Sequence, residues 1–178
     1  MSRLERLRAI YNQLPKIECK GLCWDSCGPV SGSTTELERV RRVSGRELTI
    51  EPHPLAAGTR MCCHLTPDGR CAVYAQRPFI CRLWGVVEGM PCHHGCRPAH
   101  GLLPDRIGMA LLARTLRVGG DPEGFPASVI AELEQEILDG RYELRGINVP
   151  GLSALAFGTR GAMARALSTS PQPPSSDS

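Results

Sequence analysis

The chain has 178 residues, a formal net charge of +3 and nine cysteines. That length allows one domain with at most a small appendage, long enough to bury a core without covalent staples. No apolar run approaches the roughly 18 residues a membrane helix needs. A 42% hydrophobic content is ordinary for a folded chain, and the charge is too small and too mixed to point to nucleic acid as a partner.

The first predicted element is a helix over about Arg3 to Leu14. Ser2 is a fair N-cap, Leu4, Leu7, Ile10, Tyr11 and Leu14 form an apolar stripe at helical spacing, and Pro15 ends it. The segment 19–100 follows, rich in Cys, His, Pro and Gly, and reads as mostly loop. Within it, Thr35 and Glu38 form a capping-box pattern, with Leu37, Val40 and Val43 behind it and Gly45 as a stop. Arg46 to Ile50 suits a short strand, and Glu51 to Gly58 a proline-broken loop. Cys71 to Tyr74 is too short for periodicity to decide between strand and helix.

Residues 101–167 read as helices packing on this segment. Ile107, Ala110, Leu111, Leu112 and Leu116 make one, closed by Gly119 and Gly120. Pro126 opens another through Val129, Ile130, Leu133, Ile137 and Leu138, ending at Gly140. A weaker third spans Leu152 to Leu167, and 168–178 is a Ser/Pro tail expected to be disordered. The expected fold is mainly α, a small single domain with an irregular, loop-rich cysteine cluster stapled by metal. Its parts are an N-terminal helix over 1–18, the cysteine region over 19–100 and the helical region over 101–167.

The N-terminal stretch alternates charge with Leu and has no apolar core of a secretory signal, so a reducing, cytoplasmic setting is expected. In that setting clustered cysteines point to metal ligands or redox thiols rather than disulfides, and the odd count agrees. All nine lie between Cys19 and Cys96, whereas cysteines serving as small core hydrophobes would be scattered.

Three groups stand out. Cys19, Cys23 and Cys27 recur every four residues; on a helix successive members would sit about 40° apart, on one face. Cys62, Cys63, Cys71 and Cys81 form the second group. Adjacent side chains rarely share one ion, so Cys62 and Cys63 are expected to serve different centres, or one to be spare. Cys92 and Cys96 enclose His93 and His94 in the third. His64, His93 and His94 are equally ligand or non-ligand by position, while His53 and His100 read as surface residues. Soft thiolates select zinc, copper(I) or iron–sulfur clusters, and nine exceed what one four-coordinate ion needs.

The string from Cys63 to Trp84, CHLTPDGRCAVYAQRPFICRLW, resembles the YkgJ-like cysteine-cluster family, described as zinc- or iron-chelating. Cys63, Leu65, Cys71, Val73, Tyr74, Arg77, Pro78, Cys81 and Arg82 match its recurring pattern. The resemblance covers about 19–100; the entry cysteines are spaced one residue wider than the family's, and no adjacent pair follows Cys27. It implies a metal centre built from these cysteines. Arg77 and Arg82 are expected beside the sulfurs, offsetting their negative charge. Tyr74, Phe79 and Trp84 are expected to wall the site off.

The function expected from this is metal chelation, as an iron–sulfur cluster or zinc, with a redox or metal-handling role. The alternative is a structural-zinc helical interaction module without catalysis. A radical enzyme is disfavoured because the cluster-loop spacing is one residue too long and barrel units are absent. No acid–base pair, nucleophile triad or phosphate loop appears, so enzyme status stays open, and no protein partner is named.

Overall fold

The structure, a computed structural model, describes residues 1–28, 30–121 and 123–141. The expected third C-terminal helix and the Ser/Pro tail lie outside them. The described part is mainly helical with one two-stranded sheet and long irregular connections, in a small single domain.

Helix α1 (Arg3–Tyr11) starts as its sequence dictates: Glu5 N–H donates to Ser2 Oγ at 3.2 Å, and Ser2 N–H to Glu5 Oε2 at 2.6 Å. It ends one turn before Pro15. Helix α2 (Thr34–Ser44) is capped two residues earlier than predicted. Ser33, not Thr35, is the N-cap, and its amide and hydroxyl both donate to Glu36 Oε2 at 2.9 Å. Gly45 closes α2 in a left-handed conformation, φ +71°.

The predicted strand and loop over 46–58 become a hairpin. Strand β1 (Ile50–His53) pairs antiparallel with β2 (Ala56–Cys62), in the register Ile50 opposite Cys62 and Pro52 opposite Arg60. A two-stranded ribbon has only edges, so Pro52 forfeits little by lacking an N–H, and the pairing shifts register just after it.

Helix α3 (Phe79–Leu83) is a short element that periodicity did not anticipate; Pro78 sits at its N-cap. Helix α4 (Asp105–Gly119) and helix α5 (Ala127–Leu138) follow the predicted apolar spacing and Pro/Gly punctuation. Helix α4 is the hub, packing against α1, α2, α3 and α5. Leu7 and Ile10, Phe79 and Leu83, Met109 to Ala113 and Leu116, and Ile130, Leu133 and Ile137 make one buried core. At its edge the buried Glu134 of α5 takes hydrogen bonds from Arg114 and Arg117 of α4, at 2.7 and 3.0 Å. Among the described residues no helix is long and apolar enough to cross a membrane.

Candidate functional site

The cysteine region packs on the helical core through α3 and the segment before it, and Glu36 makes that junction. Its carboxylate is buried, yet it accepts from Tyr11 Oη at 2.7 Å and from Phe79 N–H at 2.7 Å, besides Ser33. One acidic side chain thus ties α1, α2 and the first amide of α3 together. Cys81 lies two residues into that helix.

Three turns bring the other cysteines to Cys81. The hairpin ends at Cys62, whose N–H donates to Cys27 O at 2.9 Å. The turn at Asp68 and Gly69 is closed by Thr66 N–H donating to Arg70 O at 2.8 Å, and it pairs Cys71 with Leu65 across a bridge. The Tyr74–Gln76 single turn then leads through Arg77 and Pro78 into α3. As a result Cys27, Cys62, Cys71 and Cys81 lie close enough for their charges to interact.

The electrostatics of this inner group are set by burial and by the neighbouring sulfurs. Burial, then the neighbouring sulfurs Cys62, Cys71 and Cys23, push the Cys27 thiol up to about 12. Burial likewise pushes Cys81 up to about 12, although Arg77 pulls the other way. Cys62 rises to about 11, with burial the largest cause. An unfolded thiol ionises near 9.0, so each of these groups holds its proton more tightly when folded. That contribution to stability is present below pH 9 and is lost as pH rises towards 11 and 12. Reduced, metal-free protein is therefore expected to unfold at lower urea concentration at pH 10.5 than at pH 8. Equal midpoints would show that these thiols are not buried together.

Cys63 stands at the margin. Its sulfur donates to Glu47 O at 3.1 Å and accepts from Thr49 N–H at 3.4 Å, and among the sulfurs it neighbours that of Cys62. An outer group consists of Cys19, Cys23, Cys92 and Cys96. The Cys23 thiol is raised by burial and then by Cys19, with Cys92 also contributing. Cys92 behaves differently: burial pushes it up, but the amides of Cys96 and His94, the Cys96 thiol and Lys20 outweigh that, and its pKa is lowered.

Arg77 is the guanidinium whose charge acts on Cys23, Cys27 and Cys81. It stacks over the Tyr74 ring at 3.6 Å. Arg82 is placed elsewhere. It donates to Arg77 O at 2.9 Å and Ala75 O at 2.8 Å and lies over the Tyr11 ring, so it closes the turn before α3. Phe79 belongs to the helical core, stacked on Tyr11 at 6.0 Å, and does not wall the site. Trp84 meets His93 edge-on, and His93 Nε2 pairs with Ser26 Oγ at 3.0 Å. The Nε2 atoms of His64 and His94 are buried without a hydrogen-bond partner among the described residues. His53 Nε2 pairs with Leu65 O, and His100 is exposed.

All nine cysteines are free, and among the described residues no three His, Cys, Asp or Glu side chains close round a single point as a metal ion requires. The donors present are soft by their chemistry: four thiols with the Arg77 guanidinium acting on two of them, Cys27 and Cys81. Glu36 and Tyr11 are not among the residues singled out by sequence. Their signal is the Ser33–Glu36 capping box, which competes with the Thr35–Glu38 pattern two residues on.

No family model matches the chain, and neither a curated protein nor a solved structure is similar to it.

Proposed function

We propose that this chain is a metal-chelating protein of the YkgJ-like type. Its inner thiols Cys27, Cys62, Cys71 and Cys81 hold iron, as an iron–sulfur cluster, or zinc, in a redox or metal-handling role. One observation carries this. Cys27, Cys62 and Cys81, from separate segments, lie beside Cys71 near enough for their charges to interact, and burial with mutual repulsion disfavours ionisation of those three thiols. Such a group is costly as free thiolates and is relieved by a bound cation.

When bound, the metal supplies either electron transfer or a covalent staple of these segments. The chain's own residues set its surroundings. Arg77 offsets the negative charge of the sulfurs, and Glu36 fixes the start of α3 and so the position of Cys81. Cys63 is the spare member of the adjacent pair.

The two metals are told apart by colour. Protein purified without oxygen is expected to carry metal in either case. Absorption near roughly 400 nm that bleaches on reduction or in air assigns an iron–sulfur cluster. A colourless protein with stoichiometric zinc assigns the stapling role, that of a helical interaction module. A colourless protein with no metal contradicts both.

A further inference from the structure

Three arginines from separate segments converge on the turn that leads into α3. Arg39 of α2 donates from Nη2 to Ala75 O at 3.3 Å, and Arg82 of α3 donates from Nη2 to the same oxygen at 2.8 Å. Arg77 Nε donates to the neighbouring carbonyl, Tyr74 O, at 3.2 Å. Two guanidinium groups thus share one carbonyl, and a third sits on the carbonyl next to it.

Like charges gathered in this way repel one another, and a carboxylate between them is the usual remedy. Among the described residues no Asp or Glu forms an ion pair with Arg39, Arg77 or Arg82. Glu36, beside Phe79 at the exit of the turn, spends its oxygens on Tyr11, Ser33 and Phe79. Elsewhere in the molecule arginines do find acids: Arg46 pairs with Glu51, and Arg114 and Arg117 with Glu134.

The guanidinium groups are also fixed before any ligand arrives, which lowers the cost of binding one. Arg82 Nε donates to Arg77 O at 2.9 Å, and its guanidinium lies over the Tyr11 ring at 4.6 Å. That of Arg77 lies over the Tyr74 ring at 3.6 Å. These contacts use a minority of the five N–H donors that each guanidinium carries. The cluster is at the surface: Tyr74 and Ala75 are exposed and the three arginines half-buried.

We infer that Arg39, Arg77 and Arg82 form an anion site for a phosphate group, carried as the free ion or as the monoester of a larger molecule. A phosphate monoester is largely a dianion at neutral pH and offers three acceptor oxygens round a tetrahedral centre. Here the donors arrive from α2, the turn and α3. A tetrahedral dianion meets donors from several directions, whereas a carboxylate brings one charge and two oxygens in one plane. The inference goes beyond metal chelation and does not rest on it.

The test is isothermal titration of the full chain, as purified, with inorganic phosphate at constant ionic strength. One phosphate per chain is expected. Arg39→Gln removes one fork and only one hydrogen bond of the turn, so the protein should fold while phosphate affinity falls at least tenfold. Arg82→Lys keeps the charge and loses the fork, and a comparable fall is expected. Arg3→Gln, at an exposed position of α1, removes the same charge elsewhere and should leave the affinity unchanged. Acetate should bind at least tenfold more weakly than phosphate. A phosphoserine peptide that binds more tightly than inorganic phosphate assigns the ester as the source; one that binds no better assigns the free ion. Absence of saturable phosphate binding overturns the site. So does unchanged affinity in Arg39→Gln, an equal loss in Arg3→Gln, or acetate that binds as well as phosphate.

Discussion

Replacing Cys81 by Ser is expected to lower bound metal and thermal stability together. Serine has nearly the same shape but offers a hard oxygen, so the inner group keeps three soft donors of four. Cys81 is the member whose charge meets those of all three others, Cys27, Cys62 and Cys71. Loss of one such ligand should weaken metal binding by a hundredfold or more. That is about 3 kcal/mol of metal-linked stability at saturating metal, or on the order of 6–12 °C in a chain of this size. Cys63→Ser is the control. The Cys63 sulfur bonds the Glu47 carbonyl and the Thr49 amide, so metal content should hold and stability should change little. Elemental analysis beside a melting curve reads both effects. Full loading of Cys81→Ser would remove Cys81 from the ligand set.

A second large loss is expected at a residue that holds no metal. Glu36→Ala leaves the Tyr11 hydroxyl, the Phe79 amide and the Ser33 amide and hydroxyl without their acceptor, in a place water scarcely reaches. Stranding buried donors costs about 1–3 kcal/mol each when no relaxation occurs. Partial relaxation brings the sum to about 3–5 kcal/mol, the range for breaking a buried polar network. Because the Phe79 amide opens α3 and Cys81 sits on it, metal affinity should fall as well. Tyr11→Phe removes one donor and leaves the carboxylate three, so a loss of about 1 kcal/mol is expected. Urea unfolding of the three proteins at neutral pH orders them. An alanine variant as stable as the parent would mean that Glu36 does not organise this junction.

The helical half of the molecule was legible because long periodic segments carry their own punctuation. Ser2 before α1, Pro126 before α5 and Gly120 after α4 mark ends that the structure places within a few residues. The hairpin was not, since Pro52 and Pro54 argue against strand in any sheet with an interior, and here there is none. Helix α3 is too short to have a period. The register of α2 was decided by Tyr11 and Phe79, far from it in sequence, which draw on Glu36.

Within the site, clustering of the cysteines was legible but their partition was not. The even spacing of Cys19, Cys23 and Cys27 suggested one shared face. A single turn at Trp24–Ser26 replaces that helix, and Cys27 instead meets the hairpin end at Cys62. Cys62 rather than Cys63 faces the remaining thiols, although Cys63 carries the family-like string. Arg77 and Arg82 look alike in that string, yet only Arg77 acts on sulfur, because Arg82 is taken up by the carbonyls of Ala75 and Arg77. Spacing tells which sulfurs can be neighbours along the chain, whereas loop closure decides which loops meet.

The claim that these sulfurs converge on a cation is tested most directly by native mass spectrometry of protein isolated under argon. The predicted mass is that of the 178-residue chain plus the bound zinc or iron–sulfur cluster, less one proton for each net positive charge of that zinc or cluster. A folded species at the bare chain mass would contradict it, and so would one lighter by two hydrogens per cysteine pair, since that would place the sulfurs in disulfides.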